Sequence, residues 1–130
     1  MLASISHVGK QFMSQDGSRV VALESVSFDV EEGEFVTIVG PSGCGKSTLL
    51  HIMAGVLERS SGNILLKGQP IAGPRRDVGV VFQEPLLLPW RTVQENLMLP
   101  IEVLGLPREK HLRRADELLG LTRLEGFAGR

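Results

Sequence analysis

The chain has 130 residues, of which 42% are apolar, and its fourteen Lys and Arg residues nearly balance its fifteen Asp and Glu residues. This composition predicts one folded domain with its own core and excludes a disordered chain. It also excludes the basic surface that binds nucleic acid and the acidic tail of a solvating segment.

The N-terminal part of the chain predicts strands joined by tight turns. Asp16 and Gly17 form a turn signal between "ISHVGKQF" and "RVVAL", which predicts a hairpin. In "SVSFDV" apolar and polar residues alternate, as expected of a strand with one buried face. The run Phe35–Val39 is almost continuously apolar, which predicts a strand covered on both faces in the middle of an α/β sheet.

The middle of the chain predicts a helix, a second hairpin and a further strand. The helical pattern runs from Lys46 to about Ala54, and Gly55 is a C-terminal stop. The stretch "SSGNILLKGQPI" predicts a hairpin around Gly68, and "DVGVVFQ" predicts a short apolar strand that ends at Gln83.

The C-terminal part predicts two helices. Thr92 and Glu95 have the spacing of a capping box, which opens a helix that Pro100 is expected to kink and Gly105 to end. Pro107 suits the first position of the next helix, "REKHLRRADELLGL".

One segment, "GPSGCGKST", matches the phosphate-binding pattern G-x-x-x-x-G-K-[ST] at Gly40, Gly45, Lys46 and Ser47. It lies between a predicted strand and a predicted helix, as a phosphate loop requires, and this context disfavours a ligand-free glycine turn. The glycines let backbone amides face a phosphate, and the helix adds the positive end of its dipole. Lys46 would reach the β- and γ-phosphates and the Ser47 hydroxyl would bind Mg²⁺. We therefore predict a site for a nucleoside triphosphate.

The single cysteine, Cys44, lies within this loop. It excludes an internal disulfide and fits a reducing compartment. We interpret it as a small residue tolerated between glycines rather than as a reactive thiol, because nothing pairs with it. The segment "MLASISHVGK" lacks the apolar part of a signal peptide, and no run approaches the roughly 20 apolar residues that span a bilayer. We expect a cytoplasmic chain that reaches a membrane only through a partner.

Three segments carry a family resemblance. "GEFVTIVGPSGCGKSTLLHIMAGV", "SGNILLKGQPI" and "VGVVFQEPLLLPWRTVQENLMLP" together resemble the ATP-binding subunit of an ABC transporter. Within this family, the segment "QEPLLLPW" most resembles the ATP-binding subunits of bacterial importers of nitrate, taurine and aliphatic sulfonates. The resemblance implies an α/β fold. It is expected to be a truncated P-loop NTPase core of ABC ATPase type, with an antiparallel β part and a C-terminal helical part. It implies a β-rich P-loop core over residues 1–85 and the start of a helical subdomain over residues 86–130.

The resemblance also implies roles for residues around the nucleotide. Phe12 matches the aromatic residue that stacks on adenine, although an ordinary core position is the alternative. Thr48 would place a hydroxyl near the α-phosphate. The phosphate cradle would include the backbones of Ser42, Gly43 and Cys44.

Two further residues follow the last predicted strand. Gln83 matches the Q-loop glutamine, which in this family touches Mg²⁺ and the attacking water, and the alternative is a solvated loop residue. Trp90 suits an anchor that contacts a partner, but it equally suits a residue packed under the helix that starts at Thr92.

The groups that the family uses for hydrolysis are missing from these 130 residues. There is no L-S-G-G signature and no apolar run that ends in Asp-Glu to hold Mg²⁺. Glu102 follows apolar residues, but Pro100 argues against a buried strand there. The sequence therefore resembles the front part of a nucleotide-binding domain. We expect it to bind ATP without hydrolysing it alone and to leave an apolar sheet edge uncovered.

The resemblance implies a function in transport. The expected role is the ATP-binding subunit of an ABC importer that couples ATP to uptake of a small anion such as nitrate or a sulfonate. Its partners would be ATP, Mg²⁺, a membrane permease at the inner face of the cell membrane and a second nucleotide-binding subunit, with no nucleic acid. The alternative is a non-catalytic nucleotide-binding or interaction fragment, or the product of a decayed gene. A small P-loop kinase fits less well, because Arg75-Arg76 is the one tight basic pair before the C-terminal helices.

Overall fold

The computed structural model describes all of residues 1–130, which form two compact units, Met1–Val80 and Val81–Arg130. The sequence prediction placed its boundary after residue 85. Neither unit contains a helix with the length and apolar character needed to cross a membrane.

The first unit is built on an antiparallel sheet with the strand order β2-β1-β3-β4. Its strands and its helix are β1 (Ala3–Met13), β2 (Arg19–Val30), α1 (Lys46–Met53), β3 (Ser61–Leu66) and β4 (Gln69–Pro70). The helix stops as predicted, because Gly55 follows it with φ 80° in the left-handed region.

Both predicted hairpins are confirmed. In the turn between β1 and β2, the Asp16 carboxylate accepts a hydrogen bond from the Ser18 backbone amide at 2.9 Å, and Gly17 has φ 84°. Between β3 and β4, Lys67 and Gly68 have φ values of 52° and 75°, as a two-residue primed turn requires. Each turn signal in the sequence therefore corresponds to an antiparallel strand pair.

The core of the first unit lies where the sheet packs against α1. Ile5, Val8 and Ile64 of the sheet are its least exposed large side chains, and Leu49 and Ile52 of α1 complete the same buried cluster. The predicted alternation in β2 is confirmed, since its alternate apolar side chains pack against this cluster, namely Val26, Phe28 and Val30.

Two predicted strands are wrong. Neither Phe35–Val39 nor the segment "DVGVVFQ" forms a strand. The first run is not covered on both faces, since Phe35 is 92% exposed and Ile38 alone packs partly against the core, and Val81 of the second segment is 100% exposed. An extended run becomes a strand only when another strand pairs with it, and every strand of this sheet pairs with other antiparallel partners.

The second unit contains the predicted helices α2 (Val93–Leu104) and α3 (Arg108–Leu121), followed by a short 3-10 helix (Glu125–Phe127). Met98 of α2 is buried, as are Ala115 and Leu119 of α3.

The capping box of α2 is confirmed. The Glu95 amide donates to Thr92 Oγ1 at 3.2 Å, and the Thr92 amide donates to Glu95 Oε2 at 2.7 Å. The helix continues through Pro100 to Leu104, and Gly105, which is its C-cap, has φ 66°. Pro107 lies at the N-cap of α3 rather than at its first helical residue.

Candidate functional site

The phosphate-loop motif forms a glycine-rich loop that leads directly into α1. The helix begins at Lys46, and Gly45 is its N-cap with φ 98°. Gly43 also lies in the left-handed region, with φ 82°. These two backbone conformations favour glycine, so Gly43 and Gly45 are required by the shape of the loop itself.

The N-terminus of α1 is open to an anion. No side chain caps it, and its first turn contains no acidic residue. The first amides of a helix have no partner within the helix and carry the positive end of its dipole. The start of α1 therefore fits the phosphate group that the motif predicts.

The Lys46 side chain folds back over the loop. Its ammonium donates hydrogen bonds to the carbonyl oxygens of Gly40 and of Pro41, the latter at 3.0 Å. The positive charge is thereby held at the loop whose amides would bind phosphate. A phosphate oxygen bound there would compete with these two carbonyls for the ammonium.

The end of the loop is pressed against β2. A Cβ atom added at Gly45 would lie 2.5 Å from the Ala22 carbonyl oxygen and 2.8 Å from Leu23 Cδ2. The register of β1 and β2 shifts at this level, between the pairs made by Lys10 and Gln11. Strand β2 thus packs against the loop at Gly45. A larger residue is excluded at this position by lack of space as well as by the positive φ.

The remaining predicted loop residues surround the start of α1. Ser47 is exposed in the first helical turn, Thr48 beside it is half-buried, and the Cys44 thiol is free and exposed. The structure brings together the predicted cradle residues Gly40, Ser42, Gly43, Cys44, Gly45, Lys46, Ser47 and Thr48. An exposed hydroxyl at Ser47 fits a magnesium ligand at this position, because Mg²⁺ prefers oxygen ligands.

Phe12 lies near the end of β1 in the same unit. Its ring is 40% exposed and does not belong to the buried cluster, so it is not an ordinary core residue. The Lys10 ammonium lies 5.1 Å from the centroid of the ring. No motif in the sequence points to Lys10, although the pattern Lys-x-Phe on a strand places both side chains on one face.

Gln83 and Trp90 belong to the second unit. Both lie in the segment between Val81 and the start of α2, which has no regular secondary structure. The Gln83 side chain is exposed, and its predicted role at Mg²⁺ and water stays a prediction. Trp90 is 76% exposed, so it does not pack under α2.

Solved structures share this fold. One is a dimeric structure of a post-hydrolysis state of the ATP-binding cassette MJ0796 bound to ADP and Pi, with a TM-score of 0.87 and 31% identity. The match covers 99% of this chain and 61% of that one. Another is an ATP-binding subunit of an ABC transporter, with a TM-score of 0.83, 31% identity, and coverage of 99% and 53%. The predicted P-loop fold of ABC ATPase type is therefore confirmed.

Curated relatives agree with the structural matches. An uncharacterized ABC transporter ATP-binding protein of Methanocaldococcus jannaschii is 45% identical over 86% of this chain and 42% of its own length. A taurine import ATP-binding protein of Rhizobium johnstonii is 44% identical over 98% of this chain and 49% of its own length. An aliphatic sulfonates import ATP-binding protein of Bacillus cereus is 41% identical over 98% and 49%.

The family profile described as ABC transporter matches residues 23–130, which is most of the chain. The chain spans 42% to 49% of the length of the curated relatives named above. The profile starts within β2 and includes the whole glycine-rich loop and α1. This chain therefore belongs to the ABC transporter family.

Proposed function

We propose that this chain binds ATP and Mg²⁺ as the ATP-binding part of an ABC importer. The observation that carries the proposal is the glycine-shaped loop that opens onto the uncapped start of α1, with the Lys46 ammonium held at its backbone. This combination of free amides, helix dipole and a fixed positive charge suits a chain of phosphates.

Each residue of the loop has a distinct role in this proposal. The amides of Ser42, Gly43, Cys44 and Gly45 hold the phosphate oxygens, while Thr48 adds a hydroxyl at the α-phosphate. Lys46 exchanges its carbonyl partners for the β- and γ-phosphates. Ser47 and Gln83 are the residues that would hold Mg²⁺, and the ion would supply positive charge that offsets the charge of the phosphates.

The base is held at Phe12. A half-exposed ring that is not part of the core offers a flat face on which adenine can stack, and stacking of this kind contributes about 1–3 kcal/mol per base. Gln83, exposed at the start of the second unit, orients the attacking water in the whole transporter.

The transported substrate is proposed to be a small anion such as nitrate or a sulfonate. Support comes from relatives whose names specify taurine import and aliphatic sulfonates import. The proposed partners are a membrane permease, which places the chain at the inner face of the cell membrane, and a second nucleotide-binding subunit. The dimeric form of the similar cassette MJ0796 supports such pairing.

Residues 1–130 by themselves are proposed to bind ATP without turning it over, because they contain neither the L-S-G-G signature nor an Asp-Glu pair after an apolar run. The second candidate, a non-catalytic nucleotide-binding or interaction fragment, rests on the same missing residues. An ATPase assay on the purified chain tests whether residues 1–130 hydrolyse ATP. A Lys46-dependent rate comparable to that of a transport ATPase would overturn it.

The binding proposal is tested by Lys46→Ala, with ATP affinity measured by isothermal titration calorimetry. Hydrogen bonds to charged groups contribute about 1.5–3 kcal/mol, so we expect ATP affinity to fall by at least about 10-fold. Lys110→Ala, at an exposed position of α3, is the control for the lost charge and should bind ATP normally. If Lys46→Ala folds and binds ATP as the unmodified chain does, the proposed cradle is wrong.

A further inference from the structure

We propose that Lys10 is a positioning residue for the nucleotide base. Its ammonium holds one face of the Phe12 ring, so that the opposite face is presented to adenine in a fixed orientation. The proposal rests on the base site at Phe12, which belongs to the proposed function. It adds Lys10 to that site and assigns one face of the ring to the ammonium and the other to the base.

The contact between the two side chains has the geometry of a cation–π interaction. Lys10 Nζ lies 5.1 Å from the centroid of the Phe12 ring, within the roughly 6 Å over which such pairs attract. The residues are two apart on β1, so their side chains point to the same face of the strand. The structure gives the Lys10 ammonium neither an ion pair nor a hydrogen bond, so the ring is its partner.

The strand register places Lys10 close to the phosphate loop. Lys10 lies opposite Leu23 on β2, and residues opposite each other in an antiparallel pair share a face of the sheet. Leu23 is the side chain that a Cβ at Gly45 would meet at 2.8 Å. Lys10 therefore lies opposite the β2 residue that contacts the end of the loop.

The Phe12 ring lies at the surface of the sheet, outside the buried core. It is 40% exposed, and Val20, which lies opposite it on β2, is 52% exposed. A partly exposed side chain loses rotamer freedom when a base stacks on it, and that loss weakens binding. An ammonium over one face restricts the ring before the base arrives, which makes stacking on the other face more favourable.

The test compares ATP with tripolyphosphate, which has the phosphates but no base, by titration calorimetry on the 130-residue chain. An exposed cation–π pair of about 0.5–1 kcal/mol can offset at most that much of the cost of ordering the ring, so we expect Lys10→Met to weaken ATP binding by roughly 2-fold and by no more than about 5-fold. Tripolyphosphate affinity should not change. Unchanged ATP affinity would overturn the proposal, and so would an equal loss for both ligands, since that result indicates a direct phosphate contact.

Three variants make the result specific to the ring. Lys10→Arg keeps a cation over the ring and should restore ATP affinity, while Lys110→Met removes an equal charge from α3 and should have no effect. In a Phe12→Ala background, Lys10→Met should cause no additional loss, and a full additional loss there would contradict the proposal. Thermal unfolding of each variant without ligand checks that the fold is intact.

Failure of this inference differs from failure of the base site. Phe12→Ala alone should weaken ATP binding roughly 5- to 150-fold if adenine stacks on the ring. If it does not, the base site is wrong and Lys10 has no ring to position, while Lys46→Ala still tests the phosphate cradle. If Phe12→Ala weakens binding and Lys10→Met does not, the base site stands and the role of Lys10 is refuted.

Discussion

The β1–β2 hairpin and the run Phe35–Val39 are both rich in apolar residues, yet their surroundings differ completely. In the hairpin, Ile5 is 2% exposed and Leu23 is 7% exposed, whereas Phe35 is 92% exposed. The hairpin has a turn signal that brings its partner strand alongside, and β3 pairs with β1 on the other side. Apolar character alone therefore does not make a strand, since a paired neighbour is also needed.

The sequence predicts the unpaired run as a central strand of an α/β sheet and the second apolar segment, "DVGVVFQ", as a short strand. Parallel partners in such a sheet are joined by crossovers of a dozen or more residues, so no local signal specifies them. In the structure both segments keep apolar side chains on the surface, including Val39 at 83% exposure and Val81 at 100%. These side chains are open to association with other apolar surfaces.

The largest effect on stability is expected from a matched pair of substitutions that shorten a side chain, Ile64→Ala and Phe35→Ala. Ile64, in β3, is 1% exposed, so its truncation leaves a cavity and should lower the free energy of unfolding by about 2–5 kcal/mol. Phe35→Ala removes an exposed ring and should change stability by less than about 0.5 kcal/mol. Urea unfolding measures both. Equal losses would mean that Phe35 is buried in solution and that its run has found a partner.

A second test asks whether local signals are as decisive in the helical unit. The Thr92 hydroxyl accepts from the Glu95 amide at the start of α2, and removing such a cap costs about 1 kcal/mol of stability. Thr92→Ala should therefore lower the urea midpoint of the second unit, whereas Thr92→Ser should retain it. If Thr92→Ala unfolds like the unmodified chain, tertiary contacts rather than the cap determine where α2 begins.

The parts of the fold that the sequence could predict are those whose signals lie within a few residues. The turn at Asp16 and Gly17, the turn at Gly68 and the capping box at Thr92 each depend on neighbouring atoms, and all three form as predicted. The error at Phe35–Val39 arose because strand pairing depends on a distant segment, and an apolar run does not identify it.

The site shows the same division. The motif identified the cradle at Gly40 and Lys46, because phosphate binding needs those residue types at a fixed spacing. The motif could not reveal the close approach of Gly45 to the Ala22 carbonyl oxygen, since Ala22 lies on β2, more than twenty residues earlier in the chain. Nor could it assign Lys10 to the ring, because a cation two residues from an aromatic residue has many possible partners in a sequence.

One charged cluster ties the unpaired segment "DVGVVFQ" to the antiparallel sheet. Its first residue, Asp77, accepts hydrogen bonds from Arg75 Nε and Arg75 Nη2, both at 2.9 Å, and from Lys67 Nζ at 3.2 Å. Lys67 lies in the turn between β3 and β4, and Arg75 also donates to the Leu66 carbonyl oxygen at 3.3 Å. The cluster therefore joins the start of a segment that has no strand partner to the turn between the paired strands β3 and β4.

The smallest expected effect comes from titrating this cluster. Hydrogen bonds from Arg75 and then Lys67 hold the pKa of the Asp77 carboxyl well below its usual range. A lowered pKa in the folded state adds stability that is fully present above the ordinary aspartate pKa of about 3.9 and is lost as the pH falls toward the folded value. The melting temperature of the unmodified chain should therefore exceed that of Asp77→Asn at pH 7, and the difference should shrink below about pH 4. We expect a small difference because the groups are solvent-accessible. A difference that stays constant across this range would show that the cluster does not hold the segment to the sheet in solution.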